Sequence, residues 1–343
     1  MNAFNAQRDS NGAHRFLVWR NGKLGNTIVA VPFILFLRRQ FPESYIAVIV
    51  EELGRDLLSS FPEIDELIVY EKQRQHRSLF AHVRLIVGLR QRYFTHSFHL
   101  KRFFRNGFLA WCAGIPQRIG FSVNGDAPFL TKSLPYYEDR NIVEQNLSLL
   151  TLAGAPAAEQ TEYAFYAHYD DVLRARQFMK EQQLEEQQYV LVHCGGDTSS
   201  ARKIPAASFR DVAQFVRREL SFMPVFILGP GDERPVGDVL CLMDSPADYR
   251  VCDYRSHSIR MIAEIMRHAR LFIGSDSAHA HLAAMAGLPE VVLYREQEDI
   301  ERHIAKWRPW QKRCATVVHR NGIAPDIFVR EVEAASNRAL TTG

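Results

Sequence analysis

Four segments of the chain combine glycine, hydroxyl and charged residues in patterns suited to holding an anion or a sugar. The first is Arg20-Asn-Gly-Lys-Leu-Gly-Asn-Thr27. Gly22 and Gly25 permit close backbone approach, and the free amides of a helix start favour a phosphate or a sugar hydroxyl. The spacing is not G-x-G-x-x-G, so the dinucleotide fingerprint is missing, and a ligand-free turn is the alternative. The second, Cys194-Gly-Gly-Asp-Thr-Ser-Ser-Ala-Arg-Lys-Ile-Pro205, gathers glycines, hydroxyls and two adjacent cations. Hydroxyls and amides there can satisfy single phosphate oxygens while Arg202 and Lys203 offset the charge; the alternative is a solvated loop with Ser208 capping the next helix. The third, Gly229-Pro-Gly-Asp-Glu233, reads either as simple helix capping or as Glu233 taking ribose hydroxyls. In the fourth, Gly274-Ser-Asp-Ser-Ala-His-Ala-His281, Asp276 as N-cap would aim the amides of Ser277, Ala278 and His279 at a diphosphate. His279 and His281 have no third and fourth ligand close in sequence, so no metal is expected, and His281 reads as a packing residue.

Such loops need strands to point them. Short β-branched and aromatic runs at 16–20, 45–50, 66–70, 95–99 and 118–121 alternate with helical stretches at 27–40, 53–60, 78–92 and 103–112. After a helix at 141–152 and a mostly helical stretch at 166–187 the alternation restarts. Strands are expected at 189–193, 225–228, 271–273 and 290–294, and helices at 206–219, 236–240, 258–268, 276–286 and 325–339. This is the sequence form of βαβ units and a mainly parallel sheet, made twice. The expected fold is α/β, with two doubly wound Rossmann-like domains, 13–160 and 161–343, facing a central cleft. Ligands of such sheets bind beyond the carboxyl ends of the strands, where all four loops fall.

Composition narrows the function. The 343 residues carry 42 Lys and Arg against 39 Asp and Glu, a balance that excludes a polybasic nucleic-acid coat and an acidic tail. With 47% hydrophobic residues the chain can build real cores. Five scattered cysteines without a C-x-x-C pair argue against a disulfide framework and a zinc site, and point to a reducing compartment. The longest apolar run, 28–37, is half the ~20 residues a spanning helix needs, and the first twelve residues hold no apolar signal core. A cytoplasmic location is expected.

Taken in order, these loops resemble glycosyltransferase family 9, the bacterial heptosyltransferases of lipopolysaccharide assembly. Residues 16–42 are similar to the family's opening strand, Gly-Asp turn and helix. The stretches Phe61-Pro-Glu-Ile-Asp-Glu-Leu-Ile68 and Ala113-Gly-Ile-Pro-Gln-Arg-Ile-Gly-Phe121 resemble later segments of its N-terminal domain. The loop 198–205 looks like its Lys-Arg-Trp-Pro loop, and Ser275-Asp-Ser-Ala-His-Ala-His-Leu-Ala-Ala284 like its Asn-Asp-Ser-Gly-x-x-His-Leu-Ala-Ala element. The resemblance implies a GT-B fold, an inverting mechanism and a nucleotide-diphospho-sugar donor, ADP-heptose being usual. Thr198, Ser199, Arg202, Lys203, Asp276, Ser277 and Ala278 would then hold the donor diphosphate, beside His279, with Glu233 at the ribose and His257 near the base. An anionic glycan or glycolipid acceptor would meet Arg20, Lys23 and Arg118. No cofactor, metal or nucleic acid is implied, and peripheral contact with the inner face of the cytoplasmic membrane would come through the acceptor.

Three departures accompany the likeness. The Asp that serves the family as general base corresponds to Asn26, and an amide orients a hydroxyl but cannot take its proton. The family's Gly-Pro-Thr-Asp loop is replaced by Tyr294-Arg-Glu-Gln-Glu-Asp299, and Ala278 stands where Gly is usual. His193, Asp197, Glu51 and a donor phosphate are the candidate replacement bases. Two readings follow, an active transferase with a relocated base or a catalytically silent member that binds nucleotide sugar or glycan. An epimerase on the same scaffold is a third.

Overall fold

The computed structural model describes residues 14–70, 79–122, 127–158, 161–196 and 203–342. The chain forms two compact units, one from residues 1–137 and 142–161, the other from residues 138–141 and 162–343.

Unit 1 carries six parallel strands: β1 (Arg15–Trp19), β2 (Tyr45–Val50), β3 (Glu66–Val69), β4 (His96–His99), β5 (Gln117–Ser122) and β6 (Lys132–Pro135). Their order is β3-β2-β1-β4-β5-β6. Helices α1 (Leu24–Ile28), α2 (Val31–Gln40), α3 (Glu52–Leu58), α4 (Leu79–Arg90), α5 (Phe104–Cys112) and α6 (Ile142–Ser148) connect and cover them. The central strands are apolar on both faces because helices lie on both sides of a parallel sheet. Leu17, Trp19, Ala47 and Ile49 meet Leu89, Phe94, Leu109 and Ile115 in one buried cluster.

Unit 2 repeats the plan. After α7 (Tyr169–Glu181) come β7 (Tyr189–His193), α8 (Ala206–Arg218), β8 (Met223–Leu228), α9 (Glu233–Leu240), β9 (Arg250–Asp253) and α10 (Ile259–His268). Then follow β10 (Leu271–Ser275), α11 (Ala278–Met285), β11 (Glu290–Arg295), α12 (Ile300–Trp307), β12 (Cys314–His319) and α13 (Pro325–Thr341). The strands are parallel in the order β12-β11-β10-β7-β8-β9, the same doubly wound order read from the other edge. Val190 and Val192 of β7 and Ile273 of β10 pack with Phe209, Val212 and Val216 of α8 and Phe328 and Val332 of α13.

In such a sheet the connections leave in opposite directions on either side of one strand pair, opening a crevice at that pair's carboxyl end. The pair is β1 and β4 in unit 1, and β7 and β10 in unit 2. Three strands escape the sequence reading, β6, β9 and β12, and all three lie at sheet edges. No helix among the described residues is long and apolar enough to cross a membrane.

Candidate active site

In unit 2 the carboxyl ends of β7 and β10 open onto a cavity of about 530 Å³. Its wall takes Cys194, Gly195 and Gly196 from the loop after β7, Ser275 and Asp276 from the end of β10, and Arg295 and Gln297 from the end of β11 and the loop beyond it. Lys203, Arg234 and Arg295 line it, Arg234 largely exposed and 3.9 Å from Asp238, which lines it too, and His303 of α12 adds an imidazole. His303 Nε2 lies 2.6 Å from Asp276 Oδ2, so the Asp276 carboxylate is paired rather than bare. Arg295 is braced from behind by His319 Nδ1 at 2.7 Å and by the Asn321 side chain.

Next to the cavity lies a connected set of buried and half-buried polar groups. His193 Nε2 meets Asp232 Oδ2 at 3.2 Å, and its Nδ1 meets Ser277 Oγ at the same distance. A carboxylate only accepts, so Nε2 carries a proton towards Asp232. Ser277 Oγ in turn accepts the His279 amide, which makes Ser277 the N-cap of α11. His279 Nε2 is 2.8 Å from the Tyr254 hydroxyl, and its ring lies 4.0 Å from that of His193. Burial, reinforced by His193, holds the His279 pKa well below its ordinary value. Asp232 Oδ2 also accepts the Gly229 amide. One network therefore ties together the ends of β7, β8, β9 and α11. It also explains Gly195, where an added Cβ would fall 1.8 Å from Asp232 Oδ1. His193, Asp232 and His279 present ligand atoms within 4.8 Å of one another, a donor set that could take a cation. Here both imidazoles are spent on hydrogen bonds.

In unit 1 the turn after β1 is organised by a buried cation. Arg20, 2% exposed, donates to the Asn26 carbonyl, to Asn26 Oδ1 at 3.1 Å and to the Leu100 carbonyl at 2.9 Å. Burial lowers its pKa to about 10, so it stays charged at neutral pH without a carboxylate partner. Beside this turn, a concavity of about 450 Å³ is lined by His99, Lys101, Arg102, Phe103, Phe104 and Phe129, among others. Burial pushes the His99 pKa down to about 3, so the imidazole is neutral. Glu51 heads α3, and among the described residues it is the carboxylate that directly follows a strand of unit 1. Helices α3 and α1 are tightly apposed, since a Cβ on Gly54 would lie 2.8 Å from Thr27 Oγ1.

The remaining expected positions divide as follows. Lys203 and Asp276 line the unit 2 cavity, while Ser277, Ala278 and His279 form the adjoining helix start. Asp276 is not the cap, because its neighbour Ser277 adopts the extended capping backbone, and the His279 amide is consumed by that cap. Glu233 is exposed and faces Arg255, and His257 is exposed; neither lines the cavity. Arg20 is inward and bonded, Arg118 is tied to the carbonyls of Ile115, Pro116 and Phe129, and Lys23 is exposed ahead of α1. Ser208 does not cap α8; its hydroxyl meets His319 at 2.8 Å and Pro205 stands at the cap. His281 packs edge-on to Trp307. Asp197, Thr198, Ser199 and Arg202 lie outside the described residues. Arg295 and His303 were missed, although the unusual stretch 294–299 marked the place.

Both the sequence and the fold have known counterparts. The model of glycosyltransferase family 9 (heptosyltransferase) matches residues 82–333. Lipopolysaccharide heptosyltransferase 3 of Escherichia coli is 24% identical over 305 residues, covering 83% of each chain. A glycosyl transferase family 9 structure from Veillonella parvula superposes with a TM-score of 0.79 at 22% identity, covering 96% of this chain and 94% of that one. The E. coli ADP-heptose lipopolysaccharide heptosyltransferase II structure gives 0.75 at 17% identity, with 94% and 99% covered. These structures share the pair of Rossmann-like units of the GT-B fold. With the family model spanning most of the chain and both crevices built as that fold requires, the chain belongs to glycosyltransferase family 9.

Proposed function

We propose that the protein transfers heptose from ADP-heptose, with inversion, to an anionic lipopolysaccharide-type glycan acceptor at the inner face of the cytoplasmic membrane. The unit 2 cavity is the donor site on this reading, and unit 1 takes the acceptor. The observation that carries it is the convergence of Lys203, Arg234 and Arg295 on the glycine-lined end of β7 and the head of α11. A leaving diphosphate gains charge as the glycosidic bond breaks, and cations, Arg295 held in place among them, and a helix start stabilise it at that moment. This arrangement supplies the countercharge without a metal. Asp276 is better suited to a sugar hydroxyl than to the diphosphate, because a carboxylate repels phosphate oxygens.

The acceptor hydroxyl needs a proton acceptor that Asn26 does not provide. Arg20 offers only donors, so the Asn26 amide oxygen must face it, which leaves the amide NH₂ on the side of Gly22. His193 is 1% exposed and bonded on both nitrogens. We assign the base to Glu51, the carboxylate at the carboxyl edge of unit 1, next to the helix that carries Asn26.

The test is ADP release from ADP-heptose with a lipopolysaccharide core acceptor. Wild type turns over, Glu51→Gln loses about 10²–10⁴ in kcat, and Asn26→Asp gives no gain. A silent wild type that Asn26→Asp activates would instead establish a non-catalytic binder of nucleotide sugar. Heat from UDP- or GDP-sugars but none from ADP-heptose would overturn the donor.

A further inference from the structure

The near-neutral charge of the whole chain conceals a strongly one-sided segment. From Leu79 to Ser122 there is no Asp or Glu, against seven Lys and Arg. The chain-wide surplus is only three, so the remainder is acidic. This same segment holds a cluster of exposed aromatic rings. On α5, Phe104, Phe108 and Trp111 recur at i, i+4 and i+7 and are 67%, 38% and 53% exposed. All three rings pack around Phe129, at centroid distances of 4.8, 5.3 and 5.6 Å. Phe103 is exposed as well, with the Lys101 ammonium 4.1 Å above its ring. Arg102 and Arg105, both exposed, flank the cluster. The neighbouring α4, which packs on α5, exposes Phe80, Val83 and Val87 at i, i+3 and i+7.

We propose that this face of unit 1 docks on an anionic lipid bilayer. An exposed apolar patch of this extent marks an interaction surface. Phe and Trp on one side of a helix, bordered by Lys and Arg and free of carboxylates, match the interfacial zone of a membrane. The rings enter the boundary of the acyl chains while the guanidinium and ammonium groups meet lipid phosphates. The absence of acidic residues across the segment removes the repulsion that an anionic surface would otherwise impose. The inference goes beyond the transfer reaction, although a membrane-borne acceptor gives it a purpose. It is tested without donor or acceptor, so its failure and that of the transferase reading are separable.

The experiment is co-sedimentation of the full chain with phosphatidylglycerol-containing vesicles and with phosphatidylcholine vesicles. Wild type is expected to sediment with the former at low salt, to release as salt screens the phosphates, and to stay in solution with the latter. The Phe104→Ser, Trp111→Ser pair and the Arg102→Glu, Arg105→Glu pair should each weaken vesicle binding at least tenfold. Both should keep the wild-type unfolding temperature and ADP-heptose titration. Wild type that ignores phosphatidylglycerol, or variants that bind like wild type, would overturn the proposal. So would a dimer that these substitutions dissociate, which would make the patch a contact between copies.

Discussion

Arg295 shows how one side chain can be both unexpected and central. It ends β11 in place of the family's Gly-Pro-Thr-Asp loop, and His319 and Asn321 fix its guanidinium from behind. A guanidinium held in one geometry loses little freedom on meeting a phosphate. A charge-assisted hydrogen bond is worth ~1.5–3 kcal/mol, so Arg295→Ala should raise the dissociation constant of ADP-heptose by about tenfold or more. Titration calorimetry reads this directly, and an unchanged affinity would remove Arg295 from the donor site. Its place was not legible in advance because its bracing partners come from β12 and the turn just after it, at an edge strand whose sequence does not announce itself.

At the scale of elements, the head of α11 is the part most finely held. Ser277 caps the helix and its hydroxyl also meets His193 Nδ1, so one side chain joins a helix end to the buried network. Ser277→Ala should cost about 1 kcal/mol for the cap alone. It should cost more in total, since the buried His193 Nδ1 loses its hydrogen-bond partner. Chemical denaturation measures the loss, and donor affinity should fall with it. The central strands and most helices were readable because burial on both faces gives short continuous apolar runs. The edge strands were not: β6 is Lys-Ser-Leu-Pro and largely exposed, the polar, proline-bearing composition that keeps an edge from pairing. α12 was missed for a related reason, as none of its residues is buried. The cap was misplaced by one residue because Asp276 and Ser277 are equally good caps by type, and only backbone geometry selects between them.

Across the whole molecule, buried imidazoles weaken the fold in acid, while buried Glu290, whose pKa burial pushes up to about 8, works the other way. Burial lowers His99 to about 3 and His96 to about 4, and holds His279 well below its ordinary value. In the unfolded chain the same groups titrate near 6.5. Below that pH the unfolded state takes up protons that the native state refuses, so stability falls as pH falls. For His99 the loss approaches ~1.4 kcal/mol per pH unit and comes to about 1.6 kcal/mol between pH 6.5 and 5, and His279 acts in the same direction. Urea midpoints across this range should fall less steeply towards acid in His99→Gln than in wild type; an unchanged slope in that variant would rule His99 out as a source.

The chain enters unit 2 before it has finished unit 1. Residues 138–141 belong to unit 2, where Lys306 Nζ bonds Glu138 at 2.5 Å and Asn141 donates to the Arg308 carbonyl at 2.8 Å. A single cut near residue 161 would therefore strip a four-residue clasp from the end of α12, the helix that brings His303 to Asp276. Hybrids meant to pair unit 2 with a foreign first unit must carry that short excursion with them, or redesign the surface it leaves bare.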